Sequence, residues 1–309
     1  MTTETQATRA AAQLRQAARD MARVDASRRL GLTEAADSDS GEHTGRDFDP
    51  DVPNVARIYD WLLGGKDNFA ADRNAAARLL EAVPGAAVAA RENRAFLGRA
   101  VRFLAEEAEV RQFLDIGAGL PSARAVHEIV RGVVPMPRVV YADCDAVVVR
   151  HAEALLGDTL TTAVVRADVG QPWDLFARPT VRTLINLAEP VAILLVAVLH
   201  FIDHENPWAL VNCYKDLMAP GSYLVISHVT ADHLSEEAAR QAQAVYAGAS
   251  APGVARTREQ IARFFADLDM VAPGLVNVSE WRPDVIGVPS GPTVFYGGIG
   301  GKTHPGRPR

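Results

Sequence analysis

The chain is predicted to be an α/β protein built on a mostly parallel sheet. Three observations predict it. From Gln112 onward, short apolar runs alternate with stretches of helical period. The segment Phe113-Leu-Asp-Ile-Gly-Ala-Gly-Leu-Pro-Ser122 reads as a strand running into a glycine turn. One helix later, Val139-Val-Tyr-Ala-Asp-Cys-Asp145 ends a second strand on acids. Strand, glycine loop, helix, strand and acid, in that order, make a nucleotide-binding half-unit.

Residues 1–50 are expected to be a mobile or weakly docked extension. They hold no aromatic residue before Phe48, and the stripe Leu14, Met21 and Val24 is too thin to pack. Residues 51–110 read as a helical cover. Pro53 can open a helix with Val55, Ile58 and Leu62 on one face, and Gly64-Gly65 stops it. A second helix runs from Asn68 to Val83, and a third carries Leu97, Val101, Leu104 and Ala108. Residues 111–300 then form the Rossmann-like domain, with strands near 112–116, 137–142, 161–167, 191–198 and 222–229. Helices are expected over 122–132, 146–156, 207–218 and 233–246. Thr257-Arg-Glu-Gln260 is a capping box for one more, through Phe265 and Leu268. Segments 275–281 and 292–297 should close the sheet as a hairpin, and 301–309 is a tail.

Composition narrows the function. The chain has 309 residues, 48% of them hydrophobic, enough for a large core, and a net charge of −6. No cluster of Lys and Arg is interleaved with aromatics, so a nucleic-acid groove is not expected. Cys144 and Cys213 form neither a disulfide framework nor a zinc pattern, which fits a reducing, cytoplasmic setting. The longest apolar run, Val191 to Leu199, is too short to cross a bilayer, and no signal-peptide core precedes the fold. Nothing in the sequence fixes the oligomeric state.

In an open α/β sheet, ligands bind beyond the carboxyl ends of the strands, so the residues there are the site candidates. Gly117 and Gly119 allow a sharp turn and a close approach to a ligand. Asp143 can accept hydrogen bonds from both hydroxyls of a ribose. Asp168 and Val169 can meet the amino group and a ring nitrogen of adenine; the alternative for Asp168 is a cap on the turn at Pro172. Cys144 and Val196 lie at the same edge. A dinucleotide loop reads G-x-G-x-x-G, but Ser122 stands at the third glycine, and Asp115 would repel a pyrophosphate. An acid before the loop suits an ammonium and a sulfonium, which points to S-adenosylmethionine over NAD or FAD. The bland alternative is a tight turn beside an empty crevice.

His200 and His228 end the fourth and fifth strands. Each is a candidate general base, or a hydrogen-bonded structural residue. His200 and His204, with Asp203 and Glu205, have the look of a metal cluster, but the segment leaves a strand and no further ligand sits at a matching spacing. Arg57-Ile-Tyr-Asp-Trp-Leu-Leu-Gly-Gly-Lys-Asp-Asn-Phe69 is dense in aromatics, glycines and charge. It reads as a hinged lid, or as an aromatic core with a glycine helix cap. In Asn93-Arg94, the guanidinium of Arg94 can pair with a ligand carboxylate, or with Glu92 or Asp72.

These segments resemble an actinobacterial family of S-adenosylmethionine-dependent methyltransferases whose substrates are mostly unassigned. The resemblance is carried by Pro53-Asn-Val-Ala-Arg-Ile-Tyr-Asp-Trp-Leu-Leu-Gly-Gly-Lys-Asp-Asn-Phe69, by Asn93-Arg94 with Phe96-Leu97, and by Gln112 to Pro121. Val139 to Asp143, Leu194 to Phe201, Ala219 to Leu224 with Ser227-His228, and Pro273-Gly-Leu275 with Trp281-Arg-Pro283 extend it over 51–298. It implies a seven-stranded class I methyltransferase sheet, its last strand antiparallel, under an N-terminal helical cover. It favours the lid reading of Tyr59, Asp67 and Asn68, and implies cofactor contacts at Asp115, Gly117, Gly119, Asp143 and Asp168. The family motif Asp-Asn-Asp-Pro is Asp143-Cys-Asp-Ala146 in this chain, so only a backbone contact carries over to Cys144. The family offers no shared catalytic residue. The expected activity is methyl transfer to a small-molecule acceptor. The alternatives are a regulator that binds the same cofactor without turnover, and an NAD oxidoreductase.

Overall fold

A computed structural model describes residues 49–121, 124–156, 159–202, 206–284 and 294–303. The extension up to residue 48, Ser122, the Asp203-His204-Glu205 cluster and the tail from 304 lie outside the described residues.

The cover comes first. Helix α1 (Val55–Leu62) starts two residues later than Pro53 would open it, because Asn54 is the cap: its side chain accepts from the N–H groups of Ala56 and Arg57. Helix α2 (Ala70–Ala82) and the long α3 (Ala86–Glu106) follow. A buried ion pair joins the first two. Arg57 Nε lies 2.7 Å from Asp72 Oδ2, and the same carboxylate accepts the backbone N–H groups of Asn54 and Phe69, both at 2.8 Å. Ile58, Leu62, Ala75, Ala76 and Leu79 form a small core of their own beneath this pair.

The sheet alternates as expected: β1 (Gln112–Ile116), α4 (Val126–Arg131), β2 (Arg138–Asp143), α5 (Ala146–Leu156), β3 (Thr162–Arg166), α6 (Pro172–Ala177), α7 (Pro179–Leu184), β4 (Ala192–Val196), α8 (Pro207–Leu217) and β5 (Tyr223–Val229). Then come α9 (Glu236–Ala247), α10 (Arg258–Ala262), β6 (Asp269–Met270), β7 (Val276–Asn277) and β8 (Phe295–Gly301). The strand order is β3-β2-β1-β4-β5-β8-β6, with β7 paired to β8. The first five strands are parallel, and β8 is antiparallel to β5, β6 and β7. Between β1 and β4 the winding reverses, which opens a crevice at their carboxyl ends.

Every residue of β1 is buried, as in a strand covered on both faces. Leu114 and Ile116 join Ile193, Leu195, Leu224 and Ile226 in one core layer against α6, α7, α8 and α10. Phe113 joins Val139, Leu194 and Val225 in the other, against Phe96, Leu97, Val101 and Leu104 of α3. Alternation therefore puts Asp115 on the α3 side.

The closing strands differ from expectation. Segment 275–281 contributes only Val276 and Asn277 before a tight turn at Val278–Glu280. The pairing strand runs later than 292–297, through Gly297-Gly-Ile-Gly-Gly301. Glycine is disfavoured in strands, which hides this stretch from propensity. Phe96, Val278, Met270 and Leu268 crowd the space where Cβ atoms would stand. The helix at Thr257 keeps its capping box but ends at Ala262.

Asp72→Ala takes the carboxylate away from a buried guanidinium and two backbone N–H groups, so it should cost about 3–5 kcal/mol by chemical denaturation. A loss below about 1 kcal/mol would show that the pair does not hold α1 to α2.

Candidate active site

The turn after β1 is the floor of the site. Gly117 and Gly119 have φ of +69° and +66°, a region L side chains avoid. A Cβ on Gly117 would also stand 2.3 Å from Val198 Cγ2, whereas none of the described residues comes within 4 Å of one on Gly119. The backbone at Gly119 is thus a bare wall. Strand β2 holds this turn in place. Gly117 N donates to Ala142 O at 2.8 Å, and Gly119 N donates to Asp143 Oδ2 at 2.9 Å. Asp143 Oδ1 accepts Asp145 N at 3.0 Å. Burial raises the carboxyl of Asp143 above its ordinary range, while these N–H groups pull it back.

Above the turn lies a cavity of about 490 Å³, within the range of small-molecule sites. Asp60, Asp115, Asp143, Asp145 and Asp168 line it, against Arg94 as the single cation among the described residues. Asp115 is 5% exposed, and among the described residues its carboxylate has no hydrogen-bond partner. Burial pushes it up to about 6, with Arg94 opposing and Asp143 reinforcing the shift. Arg94 donates to the carbonyl of Arg124 at 3.3 Å and, among the described residues, makes no ion pair. Asp72 is not its partner, being committed to Arg57. Val169 and Val196 line the same cavity.

One alternative at this edge falls away. Asp168 does not cap the Pro172 turn; its Oδ1 accepts Gly170 N at 2.7 Å. Cys144 lies at the rim with its thiol pushed up to about 11 by desolvation and by Asp143, Asp168 and Asp145, so it stays protonated.

The cover closes the cavity from α1. Asn54 Nδ2 donates to Asp145 Oδ2 across the site, and Ser250 Oγ accepts Val55 N at 3.1 Å. The lid and helix-cap readings of the glycine pair meet here. Gly64 ends α1 at φ +85°, and a Cβ on Gly65 would stand 1.9 Å from Asp60 Oδ1. Asp60 Oδ2 in turn accepts Asp67 N at 3.0 Å and Asn68 Nδ2 at 2.8 Å. Asn68 is therefore not at the cavity; its other contacts are Gly65 O and Arg73. Tyr59, Asp60 and Leu63 do line it.

Neither candidate base reaches the cavity. His228 is fully buried, with Nδ1 2.7 Å from Val229 O and Nε2 2.6 Å from Arg256 Nη1. A carbonyl only accepts and a guanidinium only donates, so the ring is neutral with its proton on Nδ1. Burial and Arg256 push it down to about 3. His200 is wedged against Phe201, His228 and Phe295, and burial holds it well below its ordinary value. The strand-end rule locates a backbone; it does not say which way a side chain turns. Conversely, Asn54, Asp60, Asn93 and Ser250 line the cavity without having been candidates. Asn93 and Asp60 carried a signal, as polar residues at buried helical positions. Ser250 carried none, being brought in from a distant loop.

The family model of the S-adenosyl methyltransferases matches residues 41–303. The chain belongs to that family. The match reaches beyond the 51–298 spanned by the motifs. A candidate methyltransferase from Thermobifida fusca is 41% identical over 82% of this chain and 96% of its own, with a TM-score of 0.76. A DUF574 family protein from Streptomyces avermitilis is 36% identical over 82% of this chain and 99% of its own, with a TM-score of 0.78. No curated protein matches significantly. The methyltransferase has the expected sheet, mostly parallel with an antiparallel β8, and uses S-adenosylmethionine. Its cavity fits that group: the carboxylates suit a cation, and the bare turn at Gly119 admits a ligand against the backbone. No helix among the described residues is long and apolar enough to cross a membrane.

Gly117→Ala should cost at least about 2 kcal/mol, combining left-handed strain with the clash at Val198. Adding Val198→Ala should recover the clash but leave about 1–2 kcal/mol of strain. Full recovery in denaturation of the double variant would show that the turn is not strained.

Proposed function

We propose that the methyltransferase acts on a small neutral or cationic acceptor held in this cavity under α1. One observation carries the reading: among the described residues, five carboxylates against one guanidinium surround the space beyond β1. Such walls attract cations and repel anions. When bound, S-adenosylmethionine supplies a sulfonium-activated methyl group. Asp115 would face its ammonium and Arg94 its carboxylate. Asp143 would take the ribose, Asp168 and Val169 the adenine, and Gly117 to Gly119 the close approach. Val196, Cys144 through its backbone, and Tyr59 would complete the wall. The residues of the helical cover would exclude water and orient the acceptor.

The chain's own groups favour positioning over proton removal. Both histidines are buried away from the cavity, and the thiol of Cys144 is held neutral. The acceptor then brings its own lone pair. His228→Gln should leave the pH dependence of turnover unmoved, and a shifted pH–rate profile would restore a proton-transfer role. Pools of amines and neutral alcohols should release S-adenosylhomocysteine. Release only from carboxylate or phosphate acceptors would overturn the acceptor class.

The raised pKa of Asp115 gives a signed pH effect. Its folded value of about 6 exceeds the ordinary 3.8. The empty fold therefore holds an extra proton between these values, and its stability falls as pH rises through that window. A ligand cation prefers the ionised form, so affinity for S-adenosylmethionine should fall as pH drops below about 6. Asp115→Asn should cost about 1.5–3 kcal/mol of cofactor binding. Above pH 6 it should also stabilise the ligand-free protein, by up to about 3 kcal/mol. Calorimetry and thermal unfolding of the same variant check both, and a variant that binds as well as the parent removes Asp115 from the site.

A further inference from the structure

Asn93 poses a question that the cofactor contacts above leave open. It is 1% exposed and stands on the buried stripe of α3, one turn before Leu97. Its neighbours fix how its amide is turned. Tyr59 Oη lies 3.0 Å from Ala90 O, and a carbonyl can only accept, so the hydroxyl hydrogen goes there. The same hydroxyl can then only accept from Asn93, 2.9 Å away, so the atom facing it is Nδ2. Oδ1 is left buried without a partner. Two other buried atoms among the described residues share that condition, His200 Nδ1 and Trp281 Nε1, and neither residue lines the cavity. Asn93 does, beside Arg94 and Asp115.

We propose that Asn93 is a positioning residue for the cofactor, its Oδ1 accepting a hydrogen from the ammonium of the methionyl group alongside the carboxylate of Asp115. The inference rests on the reading of this cavity as the cofactor site. The neighbourhood selects the amino-acid end of the ligand over its adenine. Arg94 and Asp115 complement a zwitterion, and the adenine candidates Asp168 and Val169 lie at the end of β3. An ammonium has three hydrogens to place. A neutral amide takes one of them without setting a second negative charge beside Asp115.

Calorimetry with two ligands tests this. S-adenosylhomocysteine carries the amino-acid end, and 5′-methylthioadenosine lacks it. Asn93→Leu should weaken S-adenosylhomocysteine roughly tenfold to a hundredfold, in line with a lost hydrogen bond to a charged group, and leave 5′-methylthioadenosine unchanged. The ligand-free variant loses the bond from Nδ2 to Tyr59 together with the unpaired acceptor, two opposing effects, so its melting temperature should change little. A purely structural Asn93 predicts an equal loss for both ligands. Equal loss for both ligands would overturn the inference. So would unchanged S-adenosylhomocysteine affinity, which would mean that a water or the acceptor serves Oδ1. If Asn93→Leu does not fold, Asn93→Ser is expected to give the same split between ligands. A parent protein that binds neither ligand would sink the cofactor reading itself, and this inference with it.

Discussion

The site depends on a clamp between two neighbouring strands. The turn after β1 has two left-handed glycines, and nothing local keeps such a turn in one shape. Asp143 does so from β2, by accepting the N–H of Gly119 on one oxygen and that of Asp145 on the other. The acid at the end of β2 is therefore structural before it meets any ligand. Its place follows from the parallel register, which pairs Asp115 with Tyr141 and brings the end of β2 level with the turn. The reversal of winding beside β1 leaves the mouth of this clamp open, and β4 and the turn after it supply the far wall through Val196 and Val198.

A cavity lined by five carboxylates is costly to fold empty. Burial is the main cause of the raised pKa at both Asp115 and Asp143, and Asp143 adds charge repulsion at Asp115. A purely structural sheet edge gains nothing from this. The arrangement becomes favourable only when a cation enters, which is how a binding site trades stability for affinity. Arg94 offsets part of the charge from α3 but leaves the surplus negative. The surplus suits a cationic cofactor, and under the proposed reading it would also turn away an anionic acceptor.

The fold was legible because parallel strands buried on both faces read as apolar runs, and because the acids and glycines between them cannot serve a core. The ends of β2 and β3 were legible for the same reason. The sequence was opaque where tertiary contacts override propensity. Strand β8 is built on Gly297, Gly298, Gly300 and Gly301 because Phe96, Met270 and Leu268 pack onto its bare backbone. His200 and His228 looked like rim residues, yet aromatic packing and Arg256 hold them inside. Asn93 was visible as a polar residue on an apolar stripe. Its unpaired oxygen was not, since that follows from how Tyr59 and Ala90 are placed.

The segment from Pro53 to Phe69 shows how texture in a sequence divides between closure and chemistry. Asn54 caps α1 and reaches Asp145, which ties the cover to the end of β2. Arg57 is held by Asp72 beneath it, and Phe69 donates its N–H to the same carboxylate. Gly64 and Gly65 let the chain turn tightly round Asp60, and Asn68 and Asp67 bond back to that acid. Of the residues after Ala56, only Tyr59, Asp60 and Leu63 face the cavity. Most of this unusual segment therefore records the requirement that a short helix be fixed over a charged crevice. A helix of eight residues is marginal alone. Its polar ties to β2, to α2 and to Ser250 do the work that its length cannot, and they place Tyr59 where it sets the amide of Asn93.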